Sequence, residues 1–228
     1  MTEIKNELLV YTRPHFKICS VLLPAATTMP LLAQHPEAGL LRVQLRENVA
    51  LQHLSAAHWQ ELELLLEVAD FAKGETLEHQ GDHSMEQYFI IEGILKRVVS
   101  NSQGKEMILR FAAETDIDTS YAAWRLKTSI PYSIRAVTRV RAVKLPMQHW
   151  VGFLDRHAEI KSEFDLEIMK LMSEVMAHTI TLHLLDASGR LQRFMRKHAE
   201  LVERLPKKEL ASYLNLSPET LSRLKKRG

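Results

Sequence analysis

The sequence predicts an α+β protein in which an antiparallel β-roll is followed by one long helix and then by a helix-turn-helix. Three observations carry this reading. Between Lys73 and about Pro146 apolar residues alternate with a period of two, and Gly74, Gly81, Gly93 and Gly104 punctuate the runs; turn glycines among short alternating strands signal a small sandwich or barrel. From about Met147 to Leu185 the period becomes helical and holds a heptad. The last 22 residues, KKELASYLNLSPETLSRLKKRG, spread five leucines over two short helical segments with a Ser-Pro pair between them.

Composition bounds the function. Hydrophobic residues make up 46% of the 228, enough for a core, and the formal net charge is only +2. The charge is segregated. Residues 188–228 hold 11 Lys/Arg against 4 Asp/Glu, so this short end carries +7 and the remainder −5, which points to a polyanionic partner at that end. Cys19 is the only cysteine. That excludes an internal disulfide, a CxxC zinc site and a four-thiolate iron–sulfur cluster, and it fits a reducing cytoplasm. The stretch FKICSVLLPAATTMPLLA, residues 16–33, resembles a signal peptide in having Arg13 and Lys17 near an apolar run. Pro24 and Pro30 interrupt it, and a membrane span needs roughly 18 apolar residues. We expect neither export nor a membrane anchor.

In chain order, residues 1–47 carry four prolines and no sustained periodicity, and read as an irregular extension draped over the next domain. Residues 48–146 are the β-roll domain, entered through a helix with Ser55 as N-cap, His58 in its first turn, and Trp59, Leu62, Leu65 and Leu66 at helical spacing until near Phe71. Residues 147–187 are the dimerisation helix. Within it Phe164, Ile168, Leu171, Val175, His178, Leu182 and Leu185 recur at alternating intervals of four and three. This seam is longer than a small barrel needs as a lid, so it predicts a two-stranded coiled coil between identical subunits. His178 would then face its own copy at the two-fold axis, fixing the register or, as the lesser alternative, sensing pH. Ser188 and Gly189 break the helix, and residues 188–228 form the helix-turn-helix domain.

In that domain Ala211 is the small residue at which two helices cross, and Leu210, Leu214, Leu216, Leu221 and Leu224 face their shared core. Asn215 takes the turn position that favours a left-handed backbone. Ser217 caps the second helix, and Pro218 opens it where a missing N–H costs nothing. The outer face keeps Glu219, Thr220, Ser222 and Arg223, followed by Lys225, Lys226 and Arg227. A glutamate can accept from cytosine N4 and an arginine can grip guanine O6 and N7, while hydroxyls and lysines hold phosphates. With Ser217, these are the candidate DNA-binding residues, and double-stranded DNA is the expected partner.

The arrangement resembles the Crp/Fnr family of transcription regulators over roughly residues 50–228, through KGETLEHQGD, YFIIEGILKRVV, GKEMILRF and ELASYLNLSPETLSRL. The resemblance implies a cyclic-nucleotide-binding-like jelly roll of eight strands, a homodimer, and recognition helices in successive major grooves of a near-palindromic site. Glu219, Ser222 and Arg223 match the E-x-x-S-R pattern of the Fnr-like branch, implying a half-site similar to TTGAT. Departures matter too. The phosphate cassette of nucleotide-binding members corresponds to DIDTSYAAWRLKTSIPYSIRAV here, which puts Ile130 and Pro131 where arginine and a small hydroxyl residue belong and leaves Asp116 and Asp118 near the ribose position. Carboxylates without an arginine make a poor phosphodiester cradle, so cyclic AMP binding is not expected. Another small-molecule effector would use Trp124, Arg125, Lys127 and Arg135. The chain ends at Gly228, before the β-hairpin wing usual in the family, which suggests a short, wing-less member.

Eleven histidines invite a metal or haem role. His79 and His83 flank the Gly81 turn rather than share a helix, and His178 and His183 are five apart, so neither pair has the i, i+4 helical geometry of a zinc site; we expect no metal and no cofactor, with a haem- or nucleotide-responsive sensor as the alternative. A cupin-type metal protein would need H-x-H in a strand, and none occurs. Met107, Met169, Met172, Met176 and Met195 read as core filler. The expected protein is a cytoplasmic, non-enzymatic, dimeric DNA-binding regulator.

Overall fold

Eight antiparallel strands form where the period-two runs lie. The computed structural model describes residues 29–226. Its strands are β1 (Glu67–Phe71), β2 (Thr76–Glu78), β3 (Glu86–Glu92), β4 (Leu95–Ser100), β5 (Glu106–Ala112), β6 (Ile117–Thr119), β7 (Ser133–Ala136) and β8 (Val140–Pro146). Two four-stranded sheets, ordered β1-β8-β3-β6 and β2-β7-β4-β5, close the roll. Phe89, Leu95, Ile134, Val143 and Leu145 are fully buried between them, and each such side chain contributes roughly 1.5–3 kcal/mol of burial free energy. The β3–β4 turn demands its glycine. Gly93 has φ +94°, and a Cβ there would lie 2.1 Å from the Arg139 carbonyl oxygen, which no side chain tolerates.

The extension is more ordered than its prolines suggest. Residues 1–28, with most of the signal-like stretch, lie outside the described residues. Beyond them a 3₁₀ turn (Leu32–Gln34) and helix α1 (Ala38–Arg46) correct the expectation of irregular structure. Leu41 and Leu45, one turn apart, are buried against the roll, and the chain is tied to β1 by Leu32 N–H to Leu66 O and Val68 N–H to Pro30 O, 2.8 and 2.9 Å. Ser55 caps α2 (Ala56–Glu63) through a reciprocal capping box with His58. That helix stops earlier than its sequence pattern. Leu65 and Leu66 form the exit turn and Phe71 lies in β1, because residues 67–71 pair with β8.

The long helical stretch is two helices. Helix α4 (Met147–Arg156) buries Met147, Trp150, Phe153 and Leu154, and α5 (Ala158–Leu184) follows after His157 leaves the helical region at φ −130°, ψ 81°. No proline or glycine causes this break. Glu61 on α2 holds both flanking side chains, Arg156 at 2.5 and 2.9 Å and His157 at 2.7 Å, so a tertiary contact sets the joint. Helices α6 (Ala187–Lys197), α7 (Lys207–Tyr213) and α8 (Pro218–Lys225) complete the chain. They do not form a separate lobe. Ile94, Ile108, Phe111 and Val137 of the β-roll share one core with Leu191, Phe194, Leu201, Leu210, Tyr213, Leu214 and Leu221, and Lys96–Glu209 (2.7 Å) and Arg204–Glu114 (2.6 Å) bridge the rim. Among the described residues no helix is long and apolar enough to cross a membrane.

Candidate nucleic-acid interface and effector site

Helices α7 and α8 meet as the terminal leucine pattern requires. Leu210, Ala211, Leu214 and Leu221 are each 1% exposed or less, and Asn215 takes φ +53° in the turn. The Ser217 hydroxyl accepts from Thr220 N–H at 3.2 Å, with Pro218 in the first turn. Glu219 and Arg223, four apart, are exposed on the outer face, and Thr220 and Ser222 are half-buried beside them. Hydrogen bonds from its own backbone N–H and from Ser217 hold the Glu219 carboxyl below the usual carboxylate range, so it is an anion at neutral pH. Among the described residues Arg223 hydrogen-bonds only Thr220, at 3.4 Å. Lys226 is exposed, whereas Lys225 lies 3.3 Å from both Val202 O and Glu203 and anchors α8 to the preceding turn. Arg227 lies outside the described residues.

The heptad seam faces inward. Phe164 and Leu171 are buried within the single chain, Ile168 packs on the β-roll core, Val175, Leu182 and Leu185 are partly buried, and His178 lies flat on Tyr213 of α7, centroids 3.7 Å apart and planes within 3°. These seven residues were expected to zip two subunits together; within the single chain the β-roll core already covers Phe164 and Ile168, and Tyr213 covers His178. The opposite face of α5 exposes Leu166, Met169, Met172, Met176, Ile180 and Leu184, at 41% to 77%. Spaced three or four apart, they form one stripe along the helix. The methionines read as core filler are therefore on the surface, Met107 and Met195 included at 50% and 45%.

The four residues assigned to an effector pocket do not converge. Arg125, at the end of α3 (Tyr121–Leu126), donates to the Tyr121 hydroxyl at 2.7 Å; Lys127 is exposed just beyond it; Arg135 pairs with Glu106 at 3.0 Å; and Trp124 packs on the core. The interior holds a group that sequence reasoning missed. Arg97 on β4 is 1% exposed and donates to Asp118 on β6 at 2.7 Å and to Thr119 O at 2.9 Å, with its guanidinium 4.6 Å above the Tyr132 ring. Beside it Glu78 is buried against the Ser120 hydroxyl, and burial pushes its carboxyl up to about 7. The only signal was LKRVV, two cations inside an apolar strand; Lys96 turns out to Glu209 and Arg97 turns in.

Residues 68–157 match the family of the cyclic nucleotide-binding domain. Solved structures with the same overall layout include FixK2 from Bradyrhizobium japonicum, 14% identical with a TM-score of 0.62 over 72% of this chain and 84% of that one. The c-di-GMP-responsive global regulator CLP of Xanthomonas campestris is 15% identical, TM-score 0.61, over 76% and 91%. A CooA variant from Carboxydothermus hydrogenoformans is 14% identical, TM-score 0.60, over 77% and 79%. At such identities the likeness establishes the fold alone. No curated protein sequence matches the chain.

Within the matched segment, Ile130 is buried at the place of the expected arginine. Arg97 is committed to Asp118. A cavity of about 290 Å³ at one end of the roll is lined by Glu75, Glu78, Asp82 and Glu86 against a single cation, Lys144, a lining that repels an anion. A second cleft, about 40 Å³, separates β5 from α5, α6 and α7, with Arg110, Arg190, Arg193, Lys197 and His178 on its walls. Arg190 ties the walls together by donating to Leu185 O and Leu214 O at 2.9 and 3.1 Å, the C-cap carbonyls of α5 and α7.

His178 makes the docking of the helix-turn-helix sensitive to acid. Burial pushes its imidazole down to about 4, with a hydrogen bond to the Tyr213 backbone opposing and His198, Arg193 and Lys197 adding repulsion. The folded value lies below the unfolded 6.5, so the unfolded chain takes up the proton first. Stability is intact above pH 6.5 and is lost as pH falls toward 4, by up to about 1.4 kcal/mol per unit. Glu78 runs the other way, contributing below about pH 4.5 and losing that contribution as pH rises through 7. His178→Phe keeps the stack and removes the titration. Its stability relative to the parent, measured by urea unfolding, is expected to grow from pH 6.5 to pH 4; a constant difference would contradict this.

Proposed function

We propose that this protein is a cytoplasmic, non-enzymatic transcription regulator that binds a near-palindromic DNA site as a homodimer. The observation that carries the reading is α8. It is capped by Ser217 and seated on Leu221, and it offers Glu219 and Arg223 to solvent from a helix pair packed on the segment that matches the cyclic nucleotide-binding family. One structure of the same fold, CLP, is named as a global regulator, which supports the same use here. The apolar stripe from Leu166 to Leu184 supports association of two copies, since a monomer would leave six large apolar side chains of one helix in water. The acidic cavity and the Arg97–Asp118 pair argue against cyclic AMP as the signal.

Selection from random duplex DNA, followed by fluorescence anisotropy on the enriched sequence, tests the reading. Enrichment of paired TTGAT-like half-sites is the expected result, and the absence of any enriched sequence would overturn it. Arg223→Ala is expected to cost about 1 to 3 kcal/mol at the specific site, through one lost bidentate base contact. Lys226→Ala, placed for phosphate, should weaken all duplexes alike and flatten the salt dependence.

A further inference from the structure

Away from the faces described above, three side chains with metal-ligand chemistry meet. His58 on α2, His157 at the α4–α5 joint and Glu159 in the first turn of α5 each offer one ligand atom, and these atoms lie within 4.8 Å of one another. His58 Nε2 is 3.5 Å from Glu159 Oε1, and the two imidazoles are 4.5 Å apart between centroids. We propose that His58, His157 and Glu159 bind a divalent transition-metal ion, with Zn²⁺ the best fit. Nothing in the helix-turn-helix argument requires this site, and it stands whether or not the chain binds DNA.

The donor set favours that chemistry. Two imidazole nitrogens and one carboxylate suit zinc, with water as a fourth ligand, whereas Ca²⁺ and Mg²⁺ call for oxygen alone. Ligand atoms about 2.1 Å from a tetrahedral ion are about 3.4 Å apart, so closing the site from 4.8 Å takes up to about 1.4 Å. Glu159, two-thirds exposed in its side chain, has the freedom to make that movement. His157 is already oriented. Its Nε2 is held 2.7 Å from Glu61, which leaves Nδ1 for the ion and supplies the carboxylate partner that metal-binding histidines usually have. Glu61 and Glu159 against Arg156 leave a local charge of −1 before an ion arrives. At His58, Nδ1 accepts from Ser55 N–H across a long, solvent-exposed 3.4 Å. When Nε2 takes the ion the proton moves to Nδ1, and water replaces that weak capping contact. Because α2 packs on the β-roll and His157 marks the joint from which α5 departs, the bound ion pins the sensory domain to the base of the long helix.

The test uses the full chain, stripped with EDTA and dialysed, titrated with ZnCl₂ by calorimetry and with CoCl₂ by visible absorption. The expected result is one tight equivalent per chain, a Co²⁺ d–d band, and a rise in thermal midpoint with Zn²⁺. Affinity should fall at least tenfold in His157→Ala and in Glu159→Gln, and remain unchanged in His183→Ala. Glu159→Gln alters an exposed side chain and so decides the matter even if His157→Ala fails to fold. Absence of the Co²⁺ band, or affinity unchanged in Glu159→Gln, overturns the proposal.

Discussion

Asp118→Ala is expected to lower the unfolding free energy by about 3 to 5 kcal/mol, the largest single effect foreseen for this chain. The substitution leaves the Arg97 guanidinium inside the β-roll, 1% exposed, with the Thr119 carbonyl, the Tyr132 ring and the nearby Glu78 as its remaining compensation among the described residues. A buried charge stripped of its partner keeps the whole desolvation penalty. Replacing both members together, Arg97→Met with Asp118→Leu, is expected to restore most of the loss, since a buried ion pair is worth little against apolar residues of similar volume. Urea unfolding of the parent, both single variants and the double variant closes a double-mutant cycle. Additive losses would show that the pair is not coupled, and with it would go the argument that Arg97 has no capacity left for a nucleotide phosphate.

Ile180→Glu is expected to convert a dimer into a monomer and, with it, to reduce specific DNA affinity by roughly two orders of magnitude, the scale of avidity lost when two linked sites bind singly. In the proposed two-fold dimer each substitution enters the interface twice. Met176→Glu should behave alike. Leu171→Ala provides the contrast: it lies on the inward face, and its loss should cost about 2 to 5 kcal/mol of folding stability with association unchanged. Sedimentation velocity separates the two outcomes. A parent chain that sediments as a monomer, or a Leu171 variant that dissociates while Ile180→Glu does not, would return the interface to the seam first read from the heptad.

That exchange of faces shows what local pattern can convey. A period of 3.5 locates a stripe on a helix, but the same stripe serves a neighbouring sheet or a second subunit, and the physics of burial is identical in both. Here α5 has two apolar sides, and the continuous heptad belongs to the one that packs inside the chain. The interrupted side, with Ser173 and His183 among its methionines, faces solvent. The candidate DNA-reading surface was easier to read, because every constraint on it is local: a small residue at a crossing, an asparagine at positive φ, a serine cap, a proline at the first turn. Arg97 and the His58–His157–Glu159 group escaped notice for the opposite reason. Their members are 21 and about 100 residues apart, and nothing in a linear pattern ties them together.

The sequence by itself determined the succession of β-roll, long helix and helix pair, the turn glycines, the caps of α2 and α8, the leucine core of the terminal motif and the basic end. Each follows from backbone sterics, side-chain period or charge count within a few residues. The tertiary structure alone decided that the helix-turn-helix docks on β5 through Tyr213, that Glu61 breaks the long helix at His157, that an ion pair fills the roll, and which side of α5 faces water. Those outcomes depend on distances between residues remote in the chain, where packing and desolvation rather than local propensity select the arrangement.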